Sequence, residues 1–348
     1  MAEAVNTTTW VTLLCDVRRT GGQGQWPGRA PERVLWQLRL EDSVRSSPVL
    51  AGDLLYITCL DGALHAIDVH SGREAWKSET GSGIHSTPAI CANKVLFGND
   101  SGQVFAVDRT TGQKLWAVST GAEVWTSPVV FGGTVFFGSA DGYFYAAALS
   151  TGKVQWTFRS GARIYSTAYA EEHRVYFGCS NGKVYCLNSG SGEVVWTAES
   201  GDGIESSPAL ADGAVLIGSE DFSLYALDAA SGIIRWKYST GLGISSSPAV
   251  ANRTVLAGSK DGFLYALDLS SGRLNWKVQI SNVIMASPVI SEGVVCIQAF
   301  RGETLALDTA TGQTIWRAQL GMSVQSCPVL TKSAIYLADI EGMVYALE

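Results

Sequence analysis

Trp36, Trp76, Trp116, Trp156, Trp196, Trp236, Trp276 and Trp316 stand 40 residues apart without a slip. Pro48, Pro88, Pro128, Pro208, Pro248, Pro288 and Pro328 keep the same step, with Ala168 the one departure. Gly72, Gly112, Gly152, Gly192, Gly232, Gly272 and Gly312 make a third series, and Ala66, Ala106, Ala146, Ala226, Ala266, Ala306 and Ala346 a fourth, interrupted by Cys186. A fixed period of this length marks a chain assembled from one supersecondary unit, each copy burying its apolar face against the next. The 348 residues, which would ordinarily suggest two domains, are therefore read as one array.

One unit supplies four short segments rich in β-branched and aromatic residues: "VRSSPVL" (44–50), "LLYITC" (54–59), "LHAID" (64–68) and "EAWKSE" (74–79). Between them lie "AGD", "DG" and "HSG", turn sequences in which glycine supplies a positive φ. No 3.6-residue periodicity supports a helical solenoid. Four strands in 40 residues, repeated, is the arithmetic of a β-propeller blade. The ends set the number. "RVLWQLRL" (33–40) has no three strands before it, and Val324 to Leu347 has three strands but no tryptophan strand after it. Joined, they complete one blade. The expected fold is all-β, an eight-bladed β-propeller of four-stranded blades, with the N-terminal strand 33–40 closing the last blade; residues 1–32 would form an extension packing on the ring. The eight periodic tryptophans are read as architecture, each indole lying against the neighbouring blade with its N–H reaching an acceptor.

The unit "GSKDGFLYALDLSSGRLNWKV" (258–278) resembles the repeat of the pyrroloquinoline-quinone (PQQ) type propellers. The opening "WVTLLCDVRRTG" (10–21) resembles a segment that often begins such domains, with Trp10, Asp16, Arg19, Thr20 and Gly21 matching and Val11, Leu14 and Cys15 departing. That superfamily includes quinoprotein alcohol dehydrogenases, an outer-membrane barrel-assembly lipoprotein and sensor domains of bacterial protein kinases. The resemblance is specific for fold and shared by enzymes and non-enzymes alike. Under it, a dehydrogenase would need a tryptophan stacked below the quinone, often a vicinal disulfide above it, calcium held by Glu and Asn, and an aspartate base. The chain has no Cys-Cys pair, and its strict period leaves no room for long insertions carrying such ligands.

Comparing the eight copies shows which positions the architecture fixes. Position 44 and its equivalents are always Val or Ile, but the next reads Arg45, His85, Trp125, Tyr165, Glu205, Ser245, Met285 and Gln325. The turn between second and third strands reads Leu60, Asp100, Ala140, Ser180, Glu220, Lys260, Phe300 and Ile340. Both sets are expected at one end of the blades, opposite the near-uniform "SG" and "TG" turns. Drift at an exposed position is one explanation, though it yields Lys, Glu, Ser and Thr more readily than His, Trp, Tyr and Met. The other is a binding face at the channel mouth, with Arg45, His85, Trp125, Tyr165, Glu205, Met285, Gln325, Lys260 and Phe300 as candidate ligand- or partner-binding residues.

Other chemistry is thin. Four scattered histidines offer no recognisable zinc spacing, and no P-loop or nucleophile elbow is present. Serines beside proline and Asp68, Asp108, Asp228, Asp268 and Asp308 recur from blade to blade, so they are read as structural. Seven cysteines without close pairing suggest buried free thiols in a reducing compartment. A net charge of −7 argues against a nucleic-acid partner, and no apolar run spans a membrane. "WVTLLCD" is too short and too acidic in its approach for a signal peptide. The expectation is a monomeric, cytoplasmic, non-catalytic scaffold or sensor without a cofactor or metal, periplasmic if a signal peptide has been removed, binding a protein segment or small ligand. A PQQ- and Ca2+-dependent oxidoreductase is the alternative, and a part in outer-membrane assembly a third possibility.

Overall fold

The computed structural model describes residues 10–11, 28–320 and 326–348. Eight antiparallel sheets follow one another around a ring. Blade 1 runs Val49–Ala51, Leu54–Thr58, Ala63–Asp68 and Glu74–Glu79, from the channel outward, and blades 2 to 7 repeat the order. Blade 8 takes Val329–Leu330, Ile335–Ala338 and Met343–Leu347 from the C-terminus and Val34–Arg39 from the N-terminus, so the ring closes as the sequence predicts. The seam is held by backbone bonds from Glu32 and Arg33 N–H to the Glu348 carbonyl and by an Arg33–Glu348 ion pair. Trp10–Val11 pairs with the channel-side strand Ala89–Cys91 of blade 2, Trp10 opposite Cys91, adding a fifth strand there. The remaining features of the extension, Cys15, Asp16, Arg19 and Trp26 among them, lie outside the described residues.

Each blade is joined to the next in the same two ways. On the outside, the indole of one blade lies on a turn glycine of the following one. A Cβ on Gly72 would fall 2.7 Å from the Trp36 ring, and one on Gly152 2.7 Å from Trp116. At these positive-φ turns only glycine leaves room for the ring. In six copies the indole N–H then reaches the same carbonyl, as from Trp116 to Leu149 at 3.0 Å, Trp196 to Ala229 at 3.0 Å and Trp236 to Leu269 at 2.9 Å. At the seam, Gly28 supplies the carbonyl for Trp316. Trp76 departs from the expected pattern: its buried N–H has no acceptor among the described residues, and the Tyr56 hydroxyl takes the Arg109 carbonyl instead.

On the inside, the serines beside proline link blade to blade. Ser47 N–H donates to Thr87, Thr87 to Ser127, Ser127 to Thr167, Thr167 to Ser207, Ser207 to Ser247 and Ser247 to Ser287, at 2.9–3.1 Å. Cys327 N–H donates to Ser47, and its thiol turns back to the Ser287 carbonyl. The preceding hydroxyl clamps its own blade, as where Ser86 both donates to the Gly98 carbonyl and accepts the Gly98 N–H. Blade 7 carries Ala286 in that place. Five of the six described cysteines are buried and all six are free, Cys91 being half-buried.

The recurrent aspartates cap the third turn. Asp268 Oδ1 accepts from the N–H and hydroxyl groups of Ser270 and Ser271, and these bonds hold its carboxyl down to about 2. A group whose folded pKa lies below its ordinary 3.8 stabilises the fold above that value and loses this contribution as pH falls toward about 2. Asn188 fills the equivalent turn without a titratable group. Asp268→Asn should therefore flatten part of the stability loss between pH 4 and 2, read from denaturant midpoints at each pH. Trp116→Ala, which empties a buried dock, should cost roughly 3–5 kcal/mol in the same measurement at neutral pH.

Candidate functional site

The second-to-third-strand turns and the segments entering the inner strands share one end of the ring. The backbone fixes this, since Asp100 N–H donates to the Gly83 carbonyl, Ala140 to Glu123, Glu220 to Gly203 and Lys260 to Gly243. Position 44 and its described equivalents point inward and are wholly buried: Val44, Ile84, Val124, Ile164, Ile204, Ile244 and Ile284. The next residue in each is half-buried or exposed. The variability at position 45 thus follows from where the pleat puts it.

Three of these side chains form a ladder across consecutive blades. The His85 ring stacks on Trp125 with centroids 4.5 Å apart and planes at 27°. Trp125 stacks on Tyr165 at 5.1 Å and 24°. Asp100 ties the ladder from below: its Oδ1 accepts the Trp125 indole N–H at 2.7 Å, and its Oδ2 lies 3.6 Å from His85 Nε2. Arg163 reaches the Tyr165 hydroxyl at 3.3 Å. Burial lowers the His85 pKa, with Arg45 acting in the same direction and Asp100 against it, so the ring stacks as neutral imidazole at neutral pH.

This changes the reading of Trp125. The sequence marks it as a candidate binding residue, and the structure puts the rings of both flanking blades on its two faces. What the ladder offers outward is the ring edges, Trp125 being 38% exposed. Lys260 is likewise no free cation: its ammonium bonds both Glu220 carboxylate oxygens at 2.8 Å. Arg45 sits beside His85, while Glu205, Met285 and Phe300 stand exposed on other blades of the same face. Gln325 lies outside the described residues. Asp100, visible in the sequence only as one of the variable turn residues, and Arg163 are further members of the ladder. The Lys260–Glu220 pair was readable, since opposite charges fall at the same repeat position on adjacent blades.

Trp125 does not supply the open indole face that a stacked quinone needs, since its neighbours occupy both sides. Among the described residues, the one group of three side chains placed to share a metal ion lies elsewhere, at Cys59, Asp61 and His65.

Comparison with known proteins now adds a family. The model described as "Outer membrane protein assembly factor BamB" matches residues 28–119, 61–167 and 159–348. The chain belongs to this PQQ-repeat family. Its fold superposes on BamB from Moraxella catarrhalis with a TM-score of 0.80 and 18% identity, over 91% of this chain and 99% of that one. It superposes on the quinohemoprotein alcohol dehydrogenase of Comamonas testosteroni with a TM-score of 0.79 and 15% identity, over 97% and 80%. At such identities the likeness shows the fold alone. A segment of 53 residues, 15% of the chain, is 42% identical to the serine/threonine-protein kinase AfsK of Streptomyces griseus and takes in 6% of that protein's length. A family carrying this description lends no support to the cytoplasmic expectation. Among the described residues, no helix is long and apolar enough to cross a membrane.

Trp125 rests on neighbours at the surface, whereas Trp116 is 9% exposed between two blades. Trp125→Ala is expected to cost clearly less stability than Trp116→Ala under the same denaturant titration. Equal losses would make Trp125 core.

Proposed function

We propose that this protein is a non-catalytic propeller that holds a protein segment on its variable face, with the His85–Trp125–Tyr165 ladder as the anchor. The observation behind this reading is that the ladder is tied in place by Asp100 while remaining partly exposed, on a face where every blade differs. Aromatic clusters with polar handles, held rigid and partly wet, are the common anchors of protein interfaces. Arg45 and Arg163 on one side and Glu205 on another give such a segment charged groups to align against. The family's description and its fold neighbour BamB favour a role in assembling other proteins.

Photocrosslinking side chains placed at 45, 165, 205 and 285 should capture partner peptides in cells, while the same group at the exposed turn positions 70, 150 or 230 of the opposite end should not. Crosslinks confined to the latter turns would sink the proposal. The second reading, a PQQ- and Ca2+-dependent oxidoreductase, draws support from the fold shared with quinohemoprotein alcohol dehydrogenase. It requires that added PQQ and calcium give bound quinone absorbance and dye-linked oxidation of an alcohol or sugar. Absence of bound quinone at micromolar PQQ would remove it.

A further inference from the structure

In several blades a third-strand side chain meets the second-to-third-strand turn. In blades 3, 5 and 6 it is a tyrosine whose hydroxyl donates to the turn aspartate: Tyr145 to Asp141 at 2.6 Å, Tyr225 to Asp221, and Tyr265 to Asp261 at 2.7 Å. Blade 4 substitutes Asn181 for the acid and keeps Tyr185. In blade 1 the acid is Asp61, but the tyrosine has become His65. On the outer strand, the place filled by Lys114, Val154, Val194, Ile234, Leu274, Thr314 and Val34 in the other blades is here Glu74. Both departures from the repeat converge on one point.

His65 is 3% exposed and uses both ring nitrogens. Nδ1 lies 2.5 Å from Glu74 Oε2, and Nε2 lies 2.9 Å from Asp61 Oδ2. With the Nδ1 proton given to Glu74, the Nε2 lone pair is turned toward Asp61 Oδ2, both side chains being largely buried while Glu74 reaches the surface. The Cys59 sulfur completes a set in which one thiol, one carboxylate and one imidazole donor atom all lie within 4.8 Å of one another. Its thiol now donates to the Asp42 carbonyl at 3.2 Å. Donors around a tetrahedral zinc ion sit about 2.0–2.3 Å from it, so small shifts suffice: the Asp61–His65 pair, 2.9 Å apart, opens slightly and the sulfur draws in.

We propose that Cys59, Asp61 and His65 bind a divalent transition-metal ion of the zinc class, with Glu74 as the carboxylate that orients His65. Mixed sulfur, nitrogen and oxygen donors select zinc-like ions over calcium or magnesium. A carboxylate on the far imidazole nitrogen is the usual support of a metal-bound histidine. Three protein ligands leave one coordination position for water or an incoming donor. Binding displaces the Cys59 thiol proton, so affinity rises with pH. Blade 4 is the internal control: Cys179 occupies the place of Cys59, but Asn181, Tyr185 and Val194 supply neither acid nor imidazole.

The test is titration of the chelator-stripped full chain with Co2+ alone, followed by absorbance, with Zn2+ competition. One equivalent of cobalt should bind and show thiolate-to-metal charge transfer together with tetrahedral visible bands, displaced by zinc. Cys59→Ser should lose the charge-transfer band and Cys179→Ser should keep it. His65→Tyr restores the residue the repeat itself uses, so it should fold, with an intact thermal transition, and bind no cobalt. Glu74→Gln should weaken binding about 10- to 100-fold. Cobalt bound without thiolate absorbance, unchanged binding by His65→Tyr, or no binding by the wild-type chain would overturn the proposal.

Discussion

Everything in this ring depends on the contact that one blade makes with the next. A four-stranded sheet has an apolar face it cannot bury alone, and here each buries it against its neighbour through an aromatic ring lying on a bare backbone. The glycine matters as much as the tryptophan, because any side chain at Gly72 or Gly152 would occupy the space of the indole. The same closeness recurs nearer the channel. A Cβ on Gly178 would lie 2.1 Å from the Ile204 side chain of the following blade. Large and absent side chains therefore come in pairs, 26 to 36 residues apart, and their pairing across blades sets the period.

The hydroxyl belt plays the complementary part. Where the inner strands begin, blades diverge from backbone pairing, and an N–H there would be buried without a partner. A short hydroxyl side chain from the following blade supplies one, at a net gain of roughly 1 kcal/mol per bond and a larger penalty if left unmade. The hydroxyl links run in the same direction around the ring, and between blades 7 and 8 a weaker sulfur contact runs the other way, from the Cys327 thiol to the Ser287 carbonyl.

The fold was legible because repetition makes architecture visible eight times over. Trp36 to Trp316, the turn glycines and the split blade could be read from spacing alone, and the structure places them as spacing predicts. The site was legible only to its positions. Sequence comparison marked His85, Trp125 and Tyr165 as unconstrained by the repeat, but could not show that they stack on one another, since that depends on how far each ring leans toward the next blade. Asp100 was visible as a variable turn residue, but not its bond to Trp125, which is made on blade 3 rather than its own. His65 and Glu74 are departures of the same kind, nine residues apart in sequence, and only strand pairing brings them together across the blade edge.

The stacked ladder also bears on how recognition would be achieved. A lone surface tryptophan samples several rotamers, and ordering such a side chain on binding costs about 0.5–1.5 kcal/mol. Here His85 and Tyr165 confine Trp125 from both sides and Asp100 holds its N–H, so that cost is already met in the free protein. A partner would meet a stiff ridge of ring edges and not a slot to be entered. Selectivity would then come from shape along the ridge, and binding would demand little reorganisation of the propeller itself.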